Sequence, residues 1–261
     1  MITAIRAELL KVRTTRLAPG LLALAAGLNG LVATVTSARA GGGGSGFAVP
    51  PLNTTAGLRM VLTSGGFGLI LAAVFGATVA SGEFRHRTAT DTYLDEPNRV
   101  RVLLAKAVAA AAVGLGFGLV GAAVTTGVGL AFVAVRGYEL ALPAATIARF
   151  AAGAVVGSGL LAAIGVGLGS LIRGQIGATI AVLVWGFGIE QLLGGLSRSV
   201  APYLPYTAAA TVAGARSGEG MPQLPSGLSP LPFGAVAALL LGVAVLISTV
   251  AAVTTAQRDV S

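Results

Sequence analysis

Cysteine is missing from the chain, which excludes disulfides, thiolate metal sites and a cysteine nucleophile. Histidine occurs once in 261 residues, which argues against a histidine-built metalloenzyme. Charge is scarce as well: Asp, Glu, Lys and Arg make up 10% of the sequence, whereas soluble domains carry about 25%. A water-soluble fold of this length could not cover its surface with so few charges. The sequence contains no Walker-type phosphate loop, no HExxH pair and no Ser-His-Asp set. It also lacks the series of buried acids or histidines that a proton relay needs. No catalytic and no metal-ligating residues are expected on this chain.

Apolar sequence fills the space. Hydrophobic residues are 55% of the chain and the mean hydropathy is +0.88, the composition of an integral membrane protein. A helix needs about 20 apolar residues to cross the hydrocarbon. Six stretches meet that length: residues 17–38, 59–81, 108–135, 149–171, 176–197 and 231–254. The third is the longest, because Lys106 is the only charge between Leu103 and Val135. At 1.5 Å per residue it would reach about 50 Å as one helix. It is expected to start as a cytoplasmic helix and enter the membrane after Lys106; the rival is a split into two spans.

Basic residues give the direction. With the N-terminus inside, eleven fall on the cytoplasmic side: Arg6, Lys11, Arg13, Arg16, Arg85, Arg87, Arg99, Arg101, Lys106, Arg173 and Arg258. Six fall outside: Arg39, Arg59, Arg136, Arg149, Arg198 and Arg216. The net charge of +8 therefore anchors span ends against anionic lipid, and no nucleic-acid partner is expected. Ala38-Arg39-Ala40 has the look of a signal cleavage site. The apolar stretch before it is longer than the about 7–15 residues of a signal core, so a retained first span is expected. Within residues 1–16, Ile2, Ile5, Leu9 and Val12 recur at helical spacing while Arg6, Lys11 and Arg13 turn elsewhere, as in an amphipathic helix on the membrane surface. The alternative is an ordinary basic flank.

Two outer loops differ in kind. Residues 41–46 are a glycine-serine run followed by Pro50-Pro51, a flexible spacer with a stiff end. The loop from Arg198 to Pro230 holds an apolar island, 206–213, too short to span; a re-entrant or interfacial hairpin is expected there. Inside the spans, Gly114 and Gly118, Gly153 and Gly157, and Gly165 and Gly169 make small-xxx-small steps that suit close helix packing. Glu190 is the one acid well within a span. It reads either as a pathway or proton site, or as a helix-end carboxylate about two turns before a partner at Arg198.

Between spans two and three lies the main polar run. From Gly82 to Lys106 it holds four of the nine acids, the only histidine and five of the seventeen basic residues. Residues 83–95 suit a short helix that Pro97-Asn98 would end. Such a helix would offer charges of both signs and an aromatic to a partner; the alternative is a positive-inside loop with no partner.

Three segments resemble one family, the integral membrane permeases of ABC-2 type transporters, especially actinobacterial ones. They are Ala7-Glu8-Leu9-Leu10-Lys11-Val12-Arg13-Thr14-Thr15-Arg16; Glu83-Phe84-Arg85-His86-Arg87-Thr88 followed by Leu103-Leu104-Ala105-Lys106; and Leu204-Pro205-Tyr206-Thr207-Ala208. Family members often carry Gly just before the Thr, where this chain has Arg87. The resemblance covers the six-span layout. It implies an all-α membrane protein with one permease domain over 1–261. An interfacial helix would occupy 1–16, and a cytoplasmic coupling helix would lie between spans two and three. It further implies a separate ABC ATPase subunit that carries ATP and Mg, a second permease copy or paralogue, and a plasma-membrane location with both termini cytoplasmic. Glu83, Phe84, Arg85, His86, Arg87 and Thr88 would contact the ATPase. The rivals are a self-contained secondary transporter or channel using Glu190, and a membrane-embedded lipid-group transferase, for which Asp91, Asp95 and Glu96 are the only acid cluster.

Overall fold

The computed structural model describes residues 2–42, 48–64, 66–85, 99–172, 174–197, 199–215 and 231–258. Every regular element among them is helical. In chain order they are α1 (Ile2–Thr14), α2 (Leu17–Arg39), α3 (Thr55–Thr63), α4 (Phe67–Arg85), α5 (Arg99–Val135), α6 (Ala144–Ile172) and α7 (Gln175–Val184). A π-turn (Trp185–Ile189), α8 (Glu190–Leu196), a 3-10 turn (Ala201–Tyr203), α9 (Pro205–Val212) and α10 (Phe233–Arg258) complete the chain.

Six helical segments are long and apolar enough to cross a membrane: Leu17–Arg39, Thr55–Glu83, Val100–Val135, Ala144–Ile172, Gln175–Leu196 and Phe233–Thr254. They coincide with the six apolar stretches of the sequence. The third is a single unbroken helix of 37 residues, about 55 Å long, so the split into two spans does not occur.

Two spans are irregular where the sequence reading took them as continuous. The second is interrupted between α3 and α4. Ser64 ends α3 by turning both its N–H and its hydroxyl onto the Val61 carbonyl, at 3.3 and 2.8 Å. The Gly65-Gly66 pair that follows has the lowest helix propensity of any residue but proline. The fifth span widens into the π-turn over Trp-Gly-Phe-Gly-Ile, again a glycine-rich segment. One-turn π segments inside α-helices occur often at functional positions.

The fourth span, α6, is the centre of the bundle: α4, α5, α7, α9 and α10 all pack on it. Small residues make this possible. A Cβ at Gly76 would overlap the Ala162 carbonyl, and Cβ atoms at Gly165 and Gly169 would overlap the carbonyls of Ala73 and Ala77, so α4 and α6 meet backbone to backbone. A Cβ at Gly114 would sit 2.7 Å from the Ser158 carbonyl oxygen, and one at Gly118 would overlap the Ala154 carbonyl, which brings α5 equally close. The three small-residue steps of the sequence are thus contact sites. In lipid, where no hydrophobic force draws helices together, such contacts supply the packing.

At the end of the bundle away from α1, Arg136 closes the first span. Its guanidinium donates to the carbonyl oxygens of Ala40, Ser37 and Ala38 at 2.9, 3.0 and 3.2 Å. These lie among the carbonyls that a helix C-terminus leaves without an intrahelical partner, and that of Ser37 also accepts the Ala40 N–H at 3.3 Å.

Candidate functional site

At the opposite end, three elements converge on four charges. α1 brings Glu8 and Lys11 one turn apart, α4 brings Glu83 at its end, and α5 brings Lys106 in its second turn. The Lys106 ammonium donates to Glu8 Oε2 at 2.6 Å and to Glu83 Oε1 at 2.8 Å. The Lys11 ammonium donates to Glu8 Oε1 at 2.9 Å and to Glu83 Oε1 at 3.0 Å. The result is a closed ring of alternating sign, with no net charge. Lys106 and Glu8 are buried, with side chains 5% and 7% exposed, whereas Lys11 is 49% exposed.

Lysine is the residue this geometry needs. Its ammonium is a compact charge with three donors on a flexible stem, able to bridge two separate carboxylates. Arginine's planar fork favours one carboxylate held by two parallel bonds. The sequence has only two lysines among seventeen basic residues, and both are in the ring. That scarcity was the available signal for the site.

The electrostatics follow from the packing. Burial, the largest effect on Glu8, pushes its carboxyl up, but the charge and hydrogen bonds of Lys106 and then Lys11 outweigh it and hold the group below its ordinary value of 4.5. For Lys11 burial pushes down, and the bonds and charges of Glu8 and Glu83 outweigh it, holding the ammonium above its ordinary 10.5.

The ring changes how α1 docks. Of the four apolar positions spaced along it, Val12 is buried, Ile5 and Leu9 are half-buried and Ile2 is exposed. Among the described side chains of α1, the most deeply buried is the charged Glu8. The ion pairs, more than the apolar stripe, set the face that α1 turns to α5.

Of the six residues expected at a partner surface, Glu83 is held inside this ring. Phe84 and Arg85 close α4 and are described only as backbone. His86, Arg87 and Thr88 lie outside the described residues, as do Asp91, Asp95 and Glu96. Among the described residues no group of three acids or histidines is placed to hold a metal ion.

Glu190 sits elsewhere and does something the sequence did not suggest. It is fully buried and its two oxygens face four donors. Oε1 accepts from Trp185 Nε1 at 2.7 Å and from the Tyr206 N–H at 2.9 Å. Oε2 accepts from the Thr207 N–H at 2.9 Å and the Thr207 hydroxyl at 3.1 Å. Tyr206 and Thr207 are in the first turn of α9, whose N-cap is Leu204, a residue without a capping atom. Pro205 begins that turn and has no N–H to satisfy. Glu190 therefore caps α9 from another helix, and its charge complements the positive end of that helix. Arg198, its expected partner, lies outside the described residues. The apolar island 206–213 is accordingly a helix seated in the bundle, with Tyr206 to Ala210 buried.

All three segments that carry the family resemblance thus meet in two polar contacts. Glu8 and Lys11, Glu83, and Lys106 form the ring, and Leu204 to Ala208 opens the helix that Glu190 caps. No family model matches the chain, and no curated protein matches it in sequence. The fold itself defines the class: a multi-pass, all-helical membrane protein.

Proposed function

We propose that this chain is the membrane-spanning permease subunit of an ATP-driven exporter of the ABC-2 type. Hydrolysis resides on a separate ATPase subunit that carries ATP and Mg, and a second permease copy or paralogue completes the pathway. The chain lies in the plasma membrane with both termini on the cytoplasmic face.

The observation that supports this reading best is the charged ring. A subunit driven from outside the membrane needs a stiff connection between the loop that receives the push and the spans that move. Glu83 and Lys106 stand at the two ends of the connection between spans two and three, and Glu8 and Lys11 clamp both ends to α1. A force applied to residues 84–98 would reach α1, α4 and α5 together. In this reading Phe84, Arg85, His86, Arg87 and Thr88 face the ATPase, and Glu83 positions them.

The test is charge reversal at Arg85 and Arg87, with a candidate ABC ATPase subunit co-expressed. Association with the ATPase and export are both expected to fall, while membrane insertion is retained. Unchanged association together with unchanged export would refute the reading.

A further inference from the structure

Both irregular spans line the same cavity. It encloses about 410 Å³ between α2, α3, α5, α6 and the π-turn, with α9 across one side. Ser64 and Gly66 reach it from the two sides of the break in the second span, Phe187 from the π-turn and Gln191 from the first turn of α8. The volume lies within the about 300–1,000 Å³ of small-molecule sites.

The chemistry of the wall is specific. Among the described residues no acid or base lines the cavity, and there an ionic ligand would lose its hydration without meeting a counter-charge. Hydroxyls and the Gln191 side-chain amide supply the polarity, and several hydroxyls have already donated their proton. Thr63 donates to the Arg59 carbonyl at 3.0 Å, Ser64 to Val61 at 2.8 Å and Thr125 to Gly121 at 3.1 Å. What Ser64 and Thr125 can still offer is an acceptor lone pair.

Two further polar groups at this wall have no partner among the described residues. Ser158 lines the cavity, is fully buried, and its hydroxyl makes no hydrogen bond. Asn29 is also fully buried, and neither its amide nitrogen nor its oxygen is bonded. A Cβ at Gly121, a lining residue, would stand only 2.8 Å from Asn29 Nδ2, so the amide packs behind this wall, while Ser158 is the unpartnered group that lines the cavity itself. Unsatisfied buried groups are rare in native folds, and a ligand that bonds to them recovers their lost hydration.

We infer that this cavity is a binding site for a neutral amphiphile: an apolar body of drug size with a hydroxyl or amide head that donates to the wall hydroxyls and bonds Ser158. The site lies within one protomer, so it stands apart from any pathway formed between two copies and independently of an ATPase.

The probe is octanol carrying a diazirine, applied to the purified full chain in lipid nanodiscs and mapped by mass spectrometry. Labelling is expected within residues 60–66, 118–126 and 147–158, and excess unlabelled octanol should compete it away. Quaternary ammonium and carboxylate counterparts of the probe should not label there. Ser158→Ala, a small change to the strongest helix former, should weaken competition about three- to tenfold, the loss of one hydrogen bond. Ala122→Leu and Ala151→Leu, which fill the space from two walls, should abolish labelling. Labelling confined to outward residues such as Leu119, Leu241 and Leu246, or cavity labelling equally strong with charged probes, would overturn the inference.

Discussion

Replacing Lys106 with methionine tests whether buried charge pairs hold the N-terminal helix in place. The substitution keeps the length and apolar stem of the side chain and removes only the ammonium. Glu8 and Glu83 then share Lys11 alone, and the ring passes from neutral to one net negative charge. Glu8 would be left buried against a second carboxylate. Removing one partner of a buried ion pair costs about 3–5 kcal/mol. Lys11→Met removes a half-exposed ammonium while Lys106 still bridges both carboxylates, and exposed pairs are worth about 0.2–1 kcal/mol. At about 1.4 kcal/mol per factor of ten, Lys106→Met should raise the undocked population of α1 about a hundredfold or more, and Lys11→Met about fivefold or less. The chain has no native cysteine, so Val12→Cys, at a site 8% exposed, reports undocking through its rate of maleimide modification. Adding Glu8→Gln to Lys106→Met should restore much of the protection, because the unpaired charge disappears with it. Equal effects of the two lysine substitutions, or none from either, would refute the argument from burial.

Docking of α1 should also depend on pH at both extremes. Glu8 is held below 4.5, so its contribution is present above that value and lost as pH falls through the lower folded one; Lys11 is held above 10.5, so its contribution is present below that value and lost as pH rises further. The distance between spin labels at Leu10 and Val100, both exposed, should stay constant between 4.5 and 10.5 and lengthen outside that window. Glu190→Gln should cost about 1–3 kcal/mol of thermal stability, because its amide would point N–H groups at donors, and should expose α9 to protease. Gly165→Ala, whose new Cβ would overlap the Ala73 carbonyl, should destabilise by about 1–3 kcal/mol. Gly116→Ala, with nothing within 4 Å, should be neutral or gain up to about 1 kcal/mol, as read from melting in detergent.

The six spans were legible because an apolar run is a local property, set by lipid thickness alone. The ends in the structure lie within a few residues of those read from the sequence, and the third helix begins before Lys106, as expected. The small-residue steps were legible for the same reason: Gly165 and Gly169 have no other use in a helix than to let another backbone approach. What was hidden depends on partners far away in the chain. Glu190 looked like a lone acid because three of its four donors are sixteen and seventeen residues on, and only Trp185 is near it in the chain. The break at Ser64 left a trace in the Gly-Gly pair, and the π-turn in Gly186 and Gly188, but glycine is so common here that neither stood out. The ring had the clearest unread signal, since a chain that uses arginine nearly everywhere kept lysine at two positions.

These polar contacts share one logic. In a bundle with almost no charge to place, each buried charge is positioned where two or more elements must be held in a fixed relation. Glu190 fixes α9 to the fifth span, and the ring fixes α1 to the ends of the second and third. Buried ion pairs contribute little net stability compared with apolar packing of the same volume. What they supply is register: methionine or leucine at the four ring positions could slide by a turn, whereas an ammonium between two carboxylates cannot without leaving a charge unpaired. A helix pinned in this way moves with its neighbours as one body, which is the property that a subunit driven through its inner loop would need.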